Sequence, residues 1–219
     1  MTRFTGPVID AGEVLIVGAG LAGLFTALKM SGPVTVLTTS PLGVGASSVW
    51  AQGGVAAAIG PDDAPELHAQ DTMEAGAGIV DPKIARLIAS EAGARIDDLS
   101  RLGVPFDRDA NGRYVLGKEA AHGRNRIVRV KGDRAGSAIM AALVDAVRAT
   151  PRIRVLEGFR AFELIVQDGR AAGVWASAAS DNTVTAVRAG SVVFALGGAG
   201  GLYAVTTNPP QAAGHALAM

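Results

Sequence analysis

The sequence predicts an α/β fold built on a parallel sheet, and three patterns support that prediction. An apolar run at residues 14–17 ends at the glycine-rich segment GAGLAG, residues 18–23, and an apolar helical pattern follows at residues 24–30. A second apolar run lies at residues 34–37, so that strand, glycine turn, helix and strand succeed one another. A third apolar run, residues 191–196, is typical of a buried strand that returns to a parallel sheet. We therefore expect a Rossmann-like unit at the start of the sheet.

The glycine turn is the most informative local motif. In a G-x-G-x-x-G pattern between strand and helix, Gly18 permits the tight turn, Gly20 lets a pyrophosphate approach the backbone, and Gly23 lets helix and strand pack closely. The free N–H groups at the helix start would then bind the phosphates of a dinucleotide. The acidic residue that usually follows the second strand is replaced by Thr38-Thr39-Ser40, whose hydroxyl groups can bond a ribose more weakly. A glycine-rich helix start without a ligand is the alternative interpretation.

Composition narrows the classes of protein to which the chain can belong. Its 219 residues are 49% hydrophobic, and 20 basic residues balance 20 acidic ones. Zero net charge argues against a nucleic-acid partner or an acidic membrane surface. The lack of cysteine excludes disulfides and iron–sulfur clusters held by this chain, and no metal-ligand pattern is present. No signal-peptide pattern occurs and residues 14–28 are too short to span a bilayer, so we expect a soluble, cytoplasmic protein.

The middle of the chain predicts two helices and a hairpin. Residues 64–76 and 82–102 have helical patterns, and Asp81 followed by Pro82 is typical of a helix start. The Asn111-Gly112 pair predicts a short hairpin between residues 104–107 and 113–116. The apolar face expected for the second helix consists of Ile84, Leu87, Ile88, Ile96 and Leu99.

A basic run, residues 124–134, precedes a further helical pattern at residues 134–150. Such a run is usually a solvated surface, and the alternative is a positive field for a carboxylate or phosphate group. The apolar face of that helix is expected to carry Ile139, Met140, Leu143, Val144 and Val147. A strand and an inserted β-meander are then predicted from residues 152–157, 161–166, 173–176 and 183–187.

Four motifs, taken in order, resemble one family of flavoproteins. They are GAGLAG at residues 18–23, SSVWAQGGVAAA at 47–58, KEAAH at 118–122 and ALGGAGGLYAVTTNP at 195–209. Together they resemble the flavoproteins of succinate dehydrogenase, fumarate reductase and L-aspartate oxidase, and the chain is most similar to the L-aspartate oxidase branch. The resemblance covers essentially the whole chain. It implies that residues 1–219 form a Rossmann-like FAD-binding domain with an inserted β-meander, truncated inside a C-terminal helix and lacking the family's capping domain.

The resemblance implies FAD as the cofactor. The histidine that links covalently to the flavin in succinate dehydrogenases matches Ser47, so we expect non-covalent FAD. An acidic FAD contact of the family falls at His215, and a histidine and a threonine after KEAAH fall at Arg129 and Ala135. The residues implied to contact FAD are Gly18, Ala19, Gly20, Leu21, Ala22, Gly23, Thr39, Ser47, Ser48, Val49, Trp50, Ala51, Gln52, Gly53, Gly54, Arg160, Ala161, Gly197 and Gly198.

The resemblance also implies a substrate site. Glu119 matches a glutamate that meets the α-ammonium group of L-aspartate, and a charge-assisted hydrogen bond there would favour an amino dicarboxylate over succinate. An exposed glutamate without a ligand is the alternative. His122 is expected either to contact a substrate carboxylate or to have a structural role. In the family, the general base and the groups that bind the substrate carboxylates lie mostly beyond the matched part. No catalytic residue is therefore expected in this chain.

The implied reaction is FAD-dependent oxidation of L-aspartate to iminoaspartate, with oxygen or fumarate as acceptor, as the first step of de novo NAD biosynthesis. The alternatives are a flavoprotein of the fumarate reductase or succinate dehydrogenase type, and a flavin-binding fragment without catalysis. Ser47 and Glu119 favour the first interpretation. The implied partner is a small dicarboxylate substrate, and unpaired sheet edges would favour self-association. We expect this fragment alone to be inactive.

Overall fold

The computed structural model describes residues 4–219, which divide into two compact units. The first unit combines the residues up to Trp50 with Leu143–Met219, and the second is Ala51–Ala142. No helix among the described residues is long and apolar enough to cross a membrane.

Strands and helices both occur in each of the two units. The strands are β1 (Val8–Asp10), β2 (Val14–Val17), β3 (Val34–Thr38), β4 (Gly54–Ala56), β5 (Leu116–Gly117), β6 (Ile127–Arg129), β7 (Ile153–Glu157), β8 (Phe159–Gln167), β9 (Arg170–Ala178), β10 (Val184–Arg188) and β11 (Ser191–Phe194). The helices are α1 (Leu21–Lys29), α2 (Ser47–Trp50), α3 (Pro65–Ala75), α4 (Pro82–Arg101), α5 (Ala135–Arg148) and α6 (His215–Ala218).

A parallel sheet in the order β11-β2-β3-β7 forms the centre of the first unit. The predicted return of the last apolar run to this sheet is confirmed, because Ser191–Phe194 pairs in parallel with Val14–Val17. Leu15, Ile16 and Val36 are completely buried, as expected for strands covered on both faces. The α/β class with a parallel sheet is therefore confirmed.

The predicted β-meander is also confirmed. Strands β8, β9 and β10 are antiparallel neighbours, and the turn between β8 and β9 places both Asp168 and Gly169 at positive φ. The short strand β1, which the sequence analysis did not predict, adds to β10 in parallel. The core between this sheet and the parallel sheet contains Ala11, Leu15, Val17, Leu37, Ala161, Val174, Ala176 and Val187.

In the second unit, α3 and α4 accompany a small antiparallel sheet in the order β4-β6-β5. Asp81 caps α4 as predicted, because its side chain accepts hydrogen bonds from the backbone N–H groups of Lys83 and Ile84. The predicted apolar face of α4 is partly wrong. Ile96 and Leu99 are buried, but Ile84, Leu87 and Ile88 are 50%, 56% and 60% exposed. The first half of α4 is buried instead through the small residues Ala85 and Ala89, which cluster with Ala69 of α3.

The predicted hairpin at Asn111-Gly112 is present in reduced form. Its strands meet in a single bridge between Arg108 and Tyr114, and Leu116–Gly117 pairs with β6 instead. The apolar face predicted for the helix that follows is confirmed, because the five apolar residues named for α5 are all buried.

The closeness of the glycine turn leads to a stability prediction. A methyl group on Gly23 would overlap the carbonyl oxygen of Gly18, whereas a methyl group on Gly32 would meet no atom within 4 Å. We expect G23A to lower the free energy of unfolding by more than about 2 kcal/mol, because backbone cannot move aside cheaply. The matched control G32A should change it by less than about 1 kcal/mol. Urea unfolding of both variants is the measurement, and equal midpoints would contradict the prediction.

Candidate functional site

A cavity of about 590 Å³ lies in the first unit, at the end of β2 where the glycine turn begins. Its volume is in the range of small-molecule and cofactor sites. Many of its lining residues were predicted from the sequence, and they come from five separate parts of the chain: Gly18, Ala19, Gly20, Leu21, Ala22, Thr39, Ser47, Ser48, Arg160, Ala161 and Gly197.

The glycine turn presents bare backbone to this cavity. Gly18 has φ +113°, and a side chain there would overlap the carbonyl oxygen of Ala195, so only glycine fits. Gly20 differs: a methyl group on it would have Ser48 Oγ at 3.5 Å as its nearest neighbour, so a side chain would occupy open space. The backbone can therefore be approached closely at Gly20, as a pyrophosphate requires.

The start of α1 is open to an anion. Its N-cap residue is Gly20, which has no side chain that could cap the helix in place of a ligand. The N–H of Leu21 donates to Ser48 Oγ at 3.1 Å, which fixes the loop that carries Ser47 and Ser48 against the helix start. Helix N-termini of this kind attract phosphate groups through free N–H groups and the helix dipole.

The charge around the cavity also suits an anion. Arg160 and His215 line it, and none of the residues lining it is acidic. Thr39 and Ser40 contribute hydroxyl groups after β3, and the Thr38 hydroxyl is engaged with the carbonyl oxygen of Ser40 at 3.0 Å. Phe159, Phe194 and Gln211 also line the cavity, although no sequence motif predicts them there. Phe159 and Phe194 come to the cavity through the sheets, at the start of β8 and the end of β11, and Gln211 lies in a turn before α6.

Some residues named from the sequence lie outside the lining of this cavity. Gly23 packs against Gly18, and Val49, Trp50 and Gly198 are not among the lining residues. Trp50 is 61% exposed. Ala51, Gln52, Gly53 and Gly54 belong to the second unit. Their roles in cofactor binding stay predictions.

In the second unit, Glu119 lies against the glycine pair of the AQGG motif. Its Oε1 atom is 2.8 Å from the position that a Cβ on Gly53 would occupy, and Gly53 has φ +72°. The positive φ favours glycine at position 53, whereas the flexible Glu119 side chain could move away from a Cβ there. The Glu119 side chain makes no ion pair within residues 4–219.

At Arg126, the structure contradicts both interpretations of the basic run at residues 124–134. Arg126 is neither a solvated side chain nor a source of free positive field, because it is completely buried. Its guanidinium donates from Nε and Nη2 to the two oxygens of Asp63, each at 2.9 Å, and from Nη1 to Asp71 Oδ2 at 2.8 Å. A buried bidentate pair of this kind is strongly held once formed.

The same network reaches His122 and His68. Arg126 Nη1 lies 3.4 Å from His122 Nδ1, and because arginine only donates, Nδ1 is the acceptor of this long contact. The rings of His68 and His122 meet edge to face at 5.7 Å. Burial, and then the charge of Arg126, lower the pKa of His68. The backbone N–H of Gly123 is the main cause that lowers the pKa of Asp71. His122 is thus braced by the network, and its contact with a substrate stays a prediction.

No group of three or more histidine or acidic side chains within residues 4–219 is arranged to hold a metal ion.

Comparison with known proteins gives a consistent family. A sequence profile described as an FAD binding domain matches residues 13–219. The L-aspartate oxidase of Caulobacter vibrioides is 48% identical over 221 residues, which cover 99% of this chain and 42% of the relative. The L-aspartate oxidase of Agrobacterium fabrum is 50% identical over 196 residues, which cover 89% of this chain and 37% of the relative. The chain therefore spans about two fifths of the length of these curated relatives.

Solved structures agree with the fold. The Sdh1 complex of Mycobacterium smegmatis in its apo form matches with a TM-score of 0.85 and 31% identity, over 93% of this chain and 37% of that one. A quinol fumarate reductase of E. coli matches with a TM-score of 0.87 and 24% identity, over 94% of this chain and 36% of that one. At that identity the second likeness concerns the fold alone.

The buried ion network leads to a second stability prediction. Replacing Arg126 by methionine would keep the volume of the side chain but leave the buried Asp63 carboxylate without its cation. We expect R126M to lower the free energy of unfolding by about 3–5 kcal/mol. The control R86M, at an exposed position of α4, should change it by less than about 0.5 kcal/mol. Urea unfolding measures both, and an R126M protein as stable as R86M would show that the network contributes little.

Proposed function

Since the chain belongs to the FAD binding domain family, we propose that it supplies the flavin-binding part of an L-aspartate oxidase. FAD is the cofactor of this family. The observation that carries the proposal is the cavity of the first unit, where the backbone at Gly20 and the start of α1 meet a lining that contains Arg160 and no acidic residue. Two curated L-aspartate oxidases that are 48% and 50% identical to the chain support this branch of the family.

The residues around the cavity fit FAD. Gly18 to Ala22 would hold the pyrophosphate, and the hydroxyl groups of Thr39 and Ser40 would bond the ribose in place of a carboxylate. Ser47 offers a hydroxyl group where a covalent flavin link would need a histidine, so binding is expected to be non-covalent. The remaining predicted contacts, from Val49 to Gly54 and at Gly198, belong to the same proposal.

FAD would accept the electrons when L-aspartate is oxidised to iminoaspartate. Oxygen or fumarate would then reoxidise the reduced FAD. The contribution we assign to this chain is binding and orientation. Glu119 would accept hydrogen bonds from the α-ammonium group of L-aspartate. Succinate has no ammonium group, so this contact would favour L-aspartate over succinate. His122 would present its Nε2 atom, because Nδ1 faces Arg126. General acid–base groups are expected outside residues 1–219, and the reaction would be the first step of de novo NAD biosynthesis.

Turnover by the complete gene product, loaded with FAD, tests this function. We expect it to oxidise L-aspartate, and we expect E119Q to raise the KM for L-aspartate about 10- to 100-fold through loss of a charged hydrogen bond. The control E66Q replaces an exposed glutamate at the start of α3 and should leave the KM unchanged.

Two outcomes would contradict the proposal at different levels. An FAD-loaded wild-type protein that does not oxidise L-aspartate would rule out the proposed activity. An active protein in which E119Q behaves like E66Q would leave the activity in place and remove the role of Glu119.

A further inference from the structure

Arg129, the last residue of β6, carries a guanidinium group that is poorly paired within the protein. Its Nε atom is buried and has no hydrogen-bond partner, and its Nη2 atom reaches only the carbonyl oxygen of Lys118, at 3.5 Å. Arginine has five N–H donors. A buried charged donor without an acceptor costs free energy. An anionic ligand group beside Arg129 would remove this cost.

Arg95, also of the second unit, likewise has a buried Nε atom without a hydrogen-bond partner, but that atom lies 3.4 Å from Asp98 Oδ2, so its charge is paired. Arg126 donates to Asp63 and Asp71, and Arg95 pairs with Glu91 and Asp98. Arg108 lies 4.0 Å above the ring of Tyr114 and donates to the carbonyl oxygen of Gly112. Each of these has an evident structural role, whereas the guanidinium of Arg129 makes no ion pair within residues 4–219.

The small sheet fixes where Arg129 lies. Arg129 is the register partner of Gly54 on β4, and on the other side β6 pairs with β5. The Arg129 guanidinium lies over Gly117, so closely that a methyl group on Gly117 would overlap its Cζ and Nε atoms. The absence of a side chain at Gly117 therefore allows the guanidinium to lie flat against the backbone at this corner of the sheet.

Glu119 approaches the same corner from the neighbouring loop. It follows Gly117 by two residues, and its Oε1 atom lies against Gly53, which directly precedes the register partner of Arg129. The two opposite charges nevertheless form no salt bridge with each other within the described part of the chain. A carboxylate and a guanidinium held close to one backbone corner, but not paired, are the arrangement that a zwitterion requires.

The loop between them is anchored at both ends. Gly117 is held at one end, because its carbonyl oxygen accepts from the N–H of Arg126 at 2.9 Å, and at the other end the N–H of Gly123 donates to the Asp71 carboxylate. Glu119 lies between these anchors, and the N–H of His122 donates to its carbonyl oxygen at 3.0 Å. The backbone at Glu119 is therefore held in place beside the small sheet.

We propose that Arg129 is a specificity-determining residue that binds a carboxylate group of an amino dicarboxylate, while Glu119 binds its ammonium group. The identity of the substrate as L-aspartate rests on the function proposed above, but the pairing of one anion and one cation concerns any ligand of this class. Arginine suits the role because its planar fork can bind both oxygens of a carboxylate.

Succinate separates the two halves of this site, because it has the carboxylates but no ammonium group. The experiment uses the FAD-loaded complete gene product and measures succinate binding by isothermal titration calorimetry and L-aspartate oxidation by steady-state kinetics. We expect R129Q to raise both the Kd for succinate and the KM for L-aspartate about 10- to 100-fold, with kcat changed less than about threefold. R129K should give an intermediate loss, because lysine keeps the charge without the fork. E119Q should raise the KM for L-aspartate and not the Kd for succinate.

R86Q, at an exposed arginine of α4, is the matched control, and thermal unfolding of each variant checks that it folds. The proposal is overturned if R129Q and R129K bind succinate as tightly as R86Q does. It is also overturned if R129Q lowers kcat but changes neither the Kd for succinate nor the KM for L-aspartate. A wild-type protein that binds succinate but does not oxidise L-aspartate would contradict the proposed function alone, and the succinate titration would still decide the role of Arg129.

Discussion

The contact on which the first unit depends is the meeting of three backbone segments at the glycine turn. Gly18 lies against the carbonyl oxygen of Ala195, at the end of β11, and Gly23 of α1 lies against the carbonyl oxygen of Gly18. Side chains at either position would push strand, helix and neighbouring strand apart. Because none is present, the carboxyl end of β2 and the start of α1 adjoin β11, and the cavity opens at that edge, as expected for a ligand site on a parallel sheet.

The second unit depends on a different interaction, the burial of Arg126 between two acidic residues of distant sequence. Asp63 precedes α3, Asp71 lies within it, and Arg126 directly precedes β6. This cation therefore joins the helix to the small sheet and to the loop that carries Glu119 and His122. The donors of Arg126 bind these structural carboxylates, whereas Arg129 makes no ion pair within residues 4–219. Arg126 thus has a structural role, and Arg129, three residues later, is the residue that we propose binds a ligand.

Local patterns were sufficient where the physics is local. The glycine turn, the buried strands and the meander follow from spacing and turn residues within short windows, and the structure confirms them. Burial of Arg126 could not be predicted in the same way, because its partners lie more than fifty residues away in sequence. The face of α4 was misjudged because packing through Ala85 and Ala89 outweighs the larger apolar residues beside them. Phe159 and Phe194 line the cavity through sheet register, which no local motif records.

The central claim is that a cavity built from backbone in the first unit binds FAD without a covalent bond. Absorption spectra of the purified chain, taken after incubation with FAD and again after acid precipitation, test it most directly when paired with G20V. The Cβ of that valine would lie 3.5 Å from Ser48 Oγ and 3.8 Å from the Cβ of Ala46, both ordinary van der Waals distances. We expect the wild-type protein to be yellow and to release FAD to the supernatant, and we expect G20V to be colourless and to unfold at the same temperature. A G20V protein that takes up FAD as the wild type does, or flavin retained in the precipitate, would contradict it.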